Sequence, residues 1–367
     1  MSGNKSFMLS GVLSTSFTDR PIPEITDDEV LIEVKKTGIC GSDLHFYVEG
    51  KLGEKLVTEP IVLGHESSGV IVKVGPKVDS SRVGERVAIE PWTHCRICDL
   101  CKSGSYQLCL ACYSPRRGTL SRYYKVTSDL AYKLPDNLSF EDGAMMEPLA
   151  VAVHAISSIA KMRAGQSVAV FGCGPIGLLC MAVTRALGAS RILAIDNNPS
   201  RIEFAKKYAA TDTFTVPEFL PNESKMDYSK RSSKLLKEML GMLEKGGNEG
   251  FDLVLEATGA ETCIQMGILV AKPGGTFVQV GIGITEVTVP ITVLLTKELT
   301  MKGTSRYGPG DYPLAIALAS SGKVDLTPLA THRFEFDDAV AALETTRAGI
   351  DAQGNRVLKT FISGVTA

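Results

Sequence analysis

The chain has 367 residues, 44% of them hydrophobic, and a formal net charge of −2. That length is more than one core comfortably fills and predicts two domains. No block of like charges appears, so nothing electrostatic argues for nucleic acid or a membrane surface as partner.

The opening Met1–Leu9 has no sustained apolar stretch and no cleavage pattern, so export is not expected. The most apolar run, Gly143 to Ile159, is broken by Glu147, Pro148 and His154 and is short and polar for a membrane span. Nine cysteines in a chain of this kind read as thiols and metal ligands in a reducing, cytoplasmic compartment.

In chain order, the first part reads as β-rich. Val30–Val34, Gly69–Gly75 and Arg86–Pro91 are β-branched runs ended by glycine, charge or proline. The pattern changes near residue 150. A strand is predicted over Ser167–Phe171, a helix over Pro175–Leu187, a strand over Arg191–Ile195 and a helix over Ser200–Ala209. Pro217 to about Ser233 reads as a polar loop, followed by a helix over Leu235–Leu243 and strands over Phe251–Glu256 and Thr276–Val280. Alternating strands and helices predict a parallel, doubly wound sheet. The expected division is a first domain of residues 1–153 and 291–367, with a dinucleotide-binding domain over 154–290 between its halves.

Two cysteine-containing constellations carry chemistry. Cys95, Cys98, Cys101 and Cys109 lie in one short loop and offer a complete thiolate tetrahedron, as a structural zinc requires. Cys112 lies beyond them as a bystander, and His94 is not needed. A zinc ribbon for nucleic acid would want more basic residues than Arg96, Lys102, Arg116 and Arg117. The second set is Cys40, His65 and Glu66: a thiol, an imidazole and a carboxylate that leave a position open for water or substrate. Asp43 is the natural acceptor for the other ring nitrogen of His65.

Gly172-Cys173-Gly174-Pro175-Ile176-Gly177 follows a predicted strand and opens a predicted helix. This is the dinucleotide fingerprint, with the helix N-terminus facing the pyrophosphate. Asp196 ends the next strand, where a carboxylate accepts from ribose hydroxyls and repels a 2′-phosphate, so NAD is expected over NADP. Arg201 could flank the adenine or reach a phosphate.

These motifs resemble, in order, the zinc-containing medium-chain dehydrogenases. Cys40-Gly41-Ser42-Asp43-Leu44-His45, Gly64-His65-Glu66, Gly84-Glu85-Arg86-Val87, the cysteine loop, Glu147-Pro148-Leu149 and the glycine fingerprint carry the likeness. Glu66 after the histidine, Glu147 and Arg306-Tyr307 point to the polyol branch, the sorbitol, xylitol and arabinitol dehydrogenases. Val34–Cys40 and Pro290–Val293 further resemble yeast xylitol dehydrogenases. All four loop cysteines are kept here, although some xylitol dehydrogenases lack them.

The resemblance implies an α/β architecture, with a β-rich GroES-like catalytic domain and a Rossmann domain. It also implies two Zn²⁺ per chain, a polyol as substrate, and a homo-oligomer, often a tetramer. Ser42 and His45 would relay a proton to solvent. The third zinc ligand would be Glu66 or Glu147, the latter directly or through water. Tyr47, Arg306 and Tyr307 would line the polyol pocket. The rival readings are a threonine- or simple-alcohol dehydrogenase of the same superfamily, and a catalytically silent protein stabilised by zinc.

Overall fold

The computed structural model describes residues 3–111, 118–242 and 250–366. The chain divides into two compact units, one of Met1–Pro148 with Gly308–Ala367 and one of Leu149–Tyr307.

The first unit is built on a seven-stranded sheet. Its strands run in the order Ala131–Lys133, Arg86–Ile89, Glu66–Val74, Glu29–Gly38, Lys359–Ser363, Ala330–Phe334, and Tyr123–Thr127 pairs with Glu29–Gly38 as well. Glu29–Gly38 forms a strand because Val30, Ile32 and Val34 alternate inward. One register matters most for the site. Gly38 stands opposite Glu66 on one side and Phe361 on the other. The strand leading to Cys40 therefore ends beside both the strand that follows His65 and the strand that carries Lys359. A side chain at Gly38 would collide with the Glu66 carboxylate and with Lys359, so a glycine is needed for this approach.

The second unit holds a six-stranded parallel sheet in the order Asp212–Thr215, Arg191–Asp196, Ser167–Phe171, Phe251–Glu256, Ala271–Gln279, Thr300–Gly303. Every residue of Ser167–Phe171 is buried, as a central parallel strand covered on both faces must be. The doubly wound architecture matches expectation, but its boundaries do not. The unit runs to Tyr307, well past 290, because Thr300–Gly303 adds a sixth strand to the sheet edge. At its other end it begins at Leu149, within the helix Phe140–Val153.

The stretch expected as a loop over Pro217–Ser233 is in part helical. Lys225–Met239 is one helix, started by Ser224, whose side chain accepts the Asp227 backbone N–H. Its buried residues include Ser229, Ser232 and Ser233. A buried helix face made of serines does not register as an apolar stripe, which is why it reads as loop. The end of the predicted helix at Leu243 lies outside the described residues. Phe140–Ala160 is long and apolar enough in composition to cross a membrane, but 72% of its most apolar window is buried inside the protein.

Candidate functional site

Two segments of the first unit deliver the open set. Cys40 follows the strand Glu29–Gly38 and caps the helix Gly41–Glu49 in extended backbone. Asp43, in the first turn, accepts the Cys40 N–H at 3.0 Å through one oxygen and the Gly64 N–H at 3.1 Å through the other. That second oxygen also lies 3.4 Å from His65 Nδ1. One buried carboxylate thus fixes two ligand-bearing backbones and orients the imidazole, with Nε2 left to face the open side. Burial opposes the charge on Asp43, but His65 and these N–H donors hold its carboxyl below the usual range. His65 is likewise opposed by burial, yet Asp43 and Cys40 raise it well above its ordinary value.

Cys40 Sγ, a His65 nitrogen and a Glu66 oxygen all lie within 4.8 Å of one another. A sulfur, a nitrogen and an oxygen converging at that spacing suit zinc, whose bonds to such atoms are about 2.0–2.3 Å. Glu147 does not belong to this close set. It lies mid-helix before Pro148 and is buried. Burial, with Glu66 and Asp43, pushes its carboxyl up to about 7 against the pull of His65 and Lys359.

The other expected site residues divide. Ser42 Oγ lies 3.5 Å from His65 Nε2, beside the open position. His45 is exposed, with Nδ1 2.9 Å from Glu49. Tyr47 differs from expectation. It is buried among Ile39, Leu63 and Phe336, and its hydroxyl donates to Glu344 at 2.8 Å. The helix turns that face into the core, so Tyr47 has a packing role in this unit. Arg306, with a φ of 56°, and the buried Tyr307 close the second unit.

Two neighbours escaped the sequence reading. Lys359 is buried, forms an ion pair with Glu66 and donates to the Ile39 carbonyl at 3.0 Å. Its signal was available, as a lone charge in the run Leu358-Lys359-Thr360-Phe361-Ile362. Trp92, the chain's one tryptophan, sets its ring centroid 6.3 Å from that of His65.

The four-cysteine loop is compact. Sulfur separations are 3.5 Å for Cys95–Cys109 and 3.8 Å for both Cys95–Cys101 and Cys98–Cys109. A zinc tetrahedron with bonds of about 2.3 Å has edges of about 3.8 Å, so these thiols fit the ion. The Cys98 N–H points at Cys95 Sγ at 3.4 Å. Backbone N–H groups of Ile97 and Cys98 draw the Cys95 thiol down to about 6. Arg96, at a φ of 64°, turns the chain and pairs with Asp28 and Asp129. Cys112, Arg116 and Arg117 lie outside the described residues.

In the second unit the fingerprint has the geometry of a dinucleotide cradle. Gly172 has a φ of 94°, and a side chain on Gly177 would strike the Gly172 carbonyl. A side chain on Gly174 would meet nothing, so open space lies over the turn. The helix Pro175–Ala186 starts without a side-chain cap. Gly174 has no side chain with which to cap its first turn, and Ile176 lies in that turn. Asp196 is buried and accepts from the Cys173 and Asn198 N–H groups at 2.8 and 2.9 Å. Arg201 is exposed in the first turn of the helix Pro199–Tyr208.

Residues 26–136 match the alcohol dehydrogenase GroES-like domain, and residues 175–321 match the zinc-binding dehydrogenase model. A probable D-xylulose reductase A from Aspergillus clavatus is 47% identical over 367 residues, covering 99% of this chain and 97% of its own. The chain belongs to the zinc-binding dehydrogenase family. D-xylulose reductase A from Aspergillus niger is 46% identical at the same coverage. Among solved structures, an alcohol dehydrogenase from Escherichia coli CFT073 complexed with cofactor NADH superposes with a TM-score of 0.85. It is 26% identical and covers 99% of this chain and 100% of its own. Family membership gives the glycine cradle and the two cysteine-containing sets one common context.

Proposed function

We propose that this dehydrogenase oxidises a polyol to a ketose with NAD, xylitol and D-xylulose being the first pair to test. The observation that carries the reading is the open donor set Cys40, His65 and Glu66 with a second buried carboxyl, Glu147, near it. A polyol presents several hydroxyls, and beyond the one at the open position the buried Glu147 carboxyl can meet another, which a monohydric alcohol does not offer. The full-length likeness to proteins named D-xylulose reductase supports the choice of substrate.

Zinc held by Cys40, His65 and Glu66 would supply a Lewis acid that lowers the pKa of the substrate hydroxyl, and NAD would supply the hydride acceptor. The protein's own groups do the rest. Asp43 keeps His65 Nε2 directed at the open position. Ser42 Oγ, beside that position, takes up the hydroxyl proton and passes it toward the exposed His45. Glu147, held near neutrality by burial, hydrogen-bonds a neighbouring hydroxyl or water. Arg306 and Tyr307 contribute to polyol recognition. Cys95, Cys98, Cys101 and Cys109 hold a second, structural zinc, and Asp196 selects NAD. The working form is a cytoplasmic homo-oligomer, by resemblance a tetramer.

The deciding experiment is an activity panel of xylitol, sorbitol, arabinitol, ethanol and 2-butanol, each with NAD and NADP. A site built for hydroxyls should favour polyols in kcat/KM by roughly 10⁴-fold. Comparable turnover of the simple alcohols would replace this reading with a general alcohol dehydrogenase.

A further inference from the structure

The strand Arg86–Ile89 runs on through Glu90-Pro91-Trp92-Thr93-His94 straight into Cys95. This short strap leads from beside the open set into the four-cysteine loop, and it is pinned by hydrogen bonds at Ile89, Glu90 and Pro91. The Glu90 N–H donates to the Leu130 carbonyl at 2.9 Å. The Pro91 carbonyl accepts from the Tyr124 hydroxyl at 2.6 Å. The Glu90 side chain is fully buried and accepts from the Tyr132 hydroxyl at 3.0 Å. Tyr132 in turn stacks on Tyr312, whose hydroxyl donates to the Ile89 carbonyl at 2.9 Å.

Among the described residues, Tyr106 brings the loop onto this strap. Tyr106 lies in the turn Tyr106–Leu108, between Cys101 and Cys109. Its ring stacks on His94 at 4.5 Å and 15°, and its side chain lies against the Glu90 carboxyl. Tyr106 thus touches the strap on both sides of Trp92, and Trp92 faces His65 within ring-contact range. Nothing in a purely stabilising role for the loop requires such a path. A loop that only closed on its own metal could have been tethered anywhere.

We propose that Tyr106 and Glu90 are positioning residues that couple the four-cysteine loop to the Cys40–His65–Glu66 site through Trp92. The coupling rests on the reading of those three residues as the metal site. With the loop closed, Tyr106 fixes Glu90 and His94, and Trp92 is held against the His65 ring. With the loop opened, Tyr106 withdraws from both, and the strap loses its contacts with the loop on either side of Trp92. Glu90 suits this role because its buried carboxyl accepts from the Tyr132 hydroxyl at 3.0 Å beside Tyr106, so one side chain ties the strap to both tyrosines. The closed cluster then governs the geometry of the open one as well as the stability of the fold.

The chain's single tryptophan makes the test direct. Trp92 emission, zinc content and the visible spectrum of Co²⁺ substituted at the open site are measured for wild type, Tyr106→Phe, Glu90→Ala, Glu90→Gln and the control Leu108→Ala. Tyr106→Phe and Glu90→Ala should shift the emission and the cobalt spectrum while two metals per chain are retained. They should lower kcat by roughly ten- to a hundredfold, the range seen when outer partners of metal ligands are lost, with a smaller change in KM. Glu90→Gln, which keeps a neutral hydrogen-bonding group, should recover most of what Glu90→Ala loses. Leu108→Ala, on the exposed side of the same turn, should behave as wild type. If Tyr106→Phe fails to fold, the Glu90→Ala and Glu90→Gln pair decides the question. Wild-type emission and cobalt spectra in Glu90→Ala, or in folded Tyr106→Phe, would overturn the coupling. A wild-type protein without metal at Cys40–His65 would instead sink the functional reading, and the emission measurement would still decide the coupling.

Discussion

Lys359 and Glu66 form a buried ion pair at the register point where three strands meet, and the Lys359 ammonium also donates to the carbonyl of Ile39, next to Cys40. The pair therefore joins the carboxylate of the open metal set to the backbone that carries its thiol. In the metal-free protein, replacing Lys359 by Met strands a carboxylate in the core. Removing one partner of a buried pair costs about 3–5 kcal/mol, and urea unfolding of Lys359→Met should show a loss of that order. Adding Glu66→Gln removes the stranded charge, so the double variant should regain part of the loss. A double variant no more stable than Lys359→Met would contradict this account of the pair.

The two cysteine-containing sets should respond differently to mutation. Cys98→Ser opens a closed thiolate cluster, and metal bound there would contribute directly to folding. It should lower zinc content by one ion and lower Tm. Cys40→Ser removes a ligand from the open set. It should abolish nearly all activity with a smaller change in Tm, because Asp43 still ties Gly64 and His65 together. Metal analysis beside thermal melts checks both. Equal losses of Tm would mean that the open set is as structural as the closed one.

What was legible in the sequence was whatever is local. The fingerprint strand, turn and helix are contiguous, and Ser167–Phe171 and Pro175–Ala186 fall within a residue of expectation. The four cysteines share one loop, so their spacing carries their geometry. The open set was harder, because Cys40, His65 and Glu66 meet only through strand register. Lys359 arrives from the far end of the chain, and no local pattern connects it to Glu66. Tyr47 misled for the opposite reason. It sits close to Cys40 in sequence, but the helix rotates its side chain toward Glu344. The domain boundary was missed because Thr300–Gly303 is a short edge strand, and its membership in the sheet depends on pairing with Ala271–Gln279.

Asp196 supplies the test of cofactor choice. Its carboxylate is held at the turn by two backbone N–H groups, which fix it in place. Asp196→Ser removes that charge from the position of a 2′-phosphate. The ratio of kcat/KM for NAD over NADP should fall by about tenfold or more, a factor that corresponds to about 1.4 kcal/mol. Some NAD affinity should be lost as well, because the Cys173 N–H loses its acceptor. A wild-type enzyme that uses both cofactors equally, or an unchanged ratio in the variant, would remove Asp196 from the selection of cofactor.

Glu90 gives the stability a pH dependence whose sign can be worked out. Burial, opposed by hydrogen bonds from Tyr106 and Tyr132 and aided by the charges of Asp129 and Asp311, pushes its carboxyl from 4.5 to about 7. The folded protein therefore binds the Glu90 proton more tightly than the unfolded chain does. Its contribution is fully present below about 4.5 and is lost as pH rises toward 7. Between pH 5 and pH 8 the loss attributable to this group is about 2 kcal/mol. Glu90→Gln holds a neutral group at every pH, so the variant should gain on wild type by that amount across the interval. Urea unfolding of both proteins at pH 5 and pH 8 measures the difference, and taking it between proteins cancels every other titration they share. Parallel stability curves for the two would show that Glu90 titrates as an ordinary carboxylate and that its burial is compensated some other way.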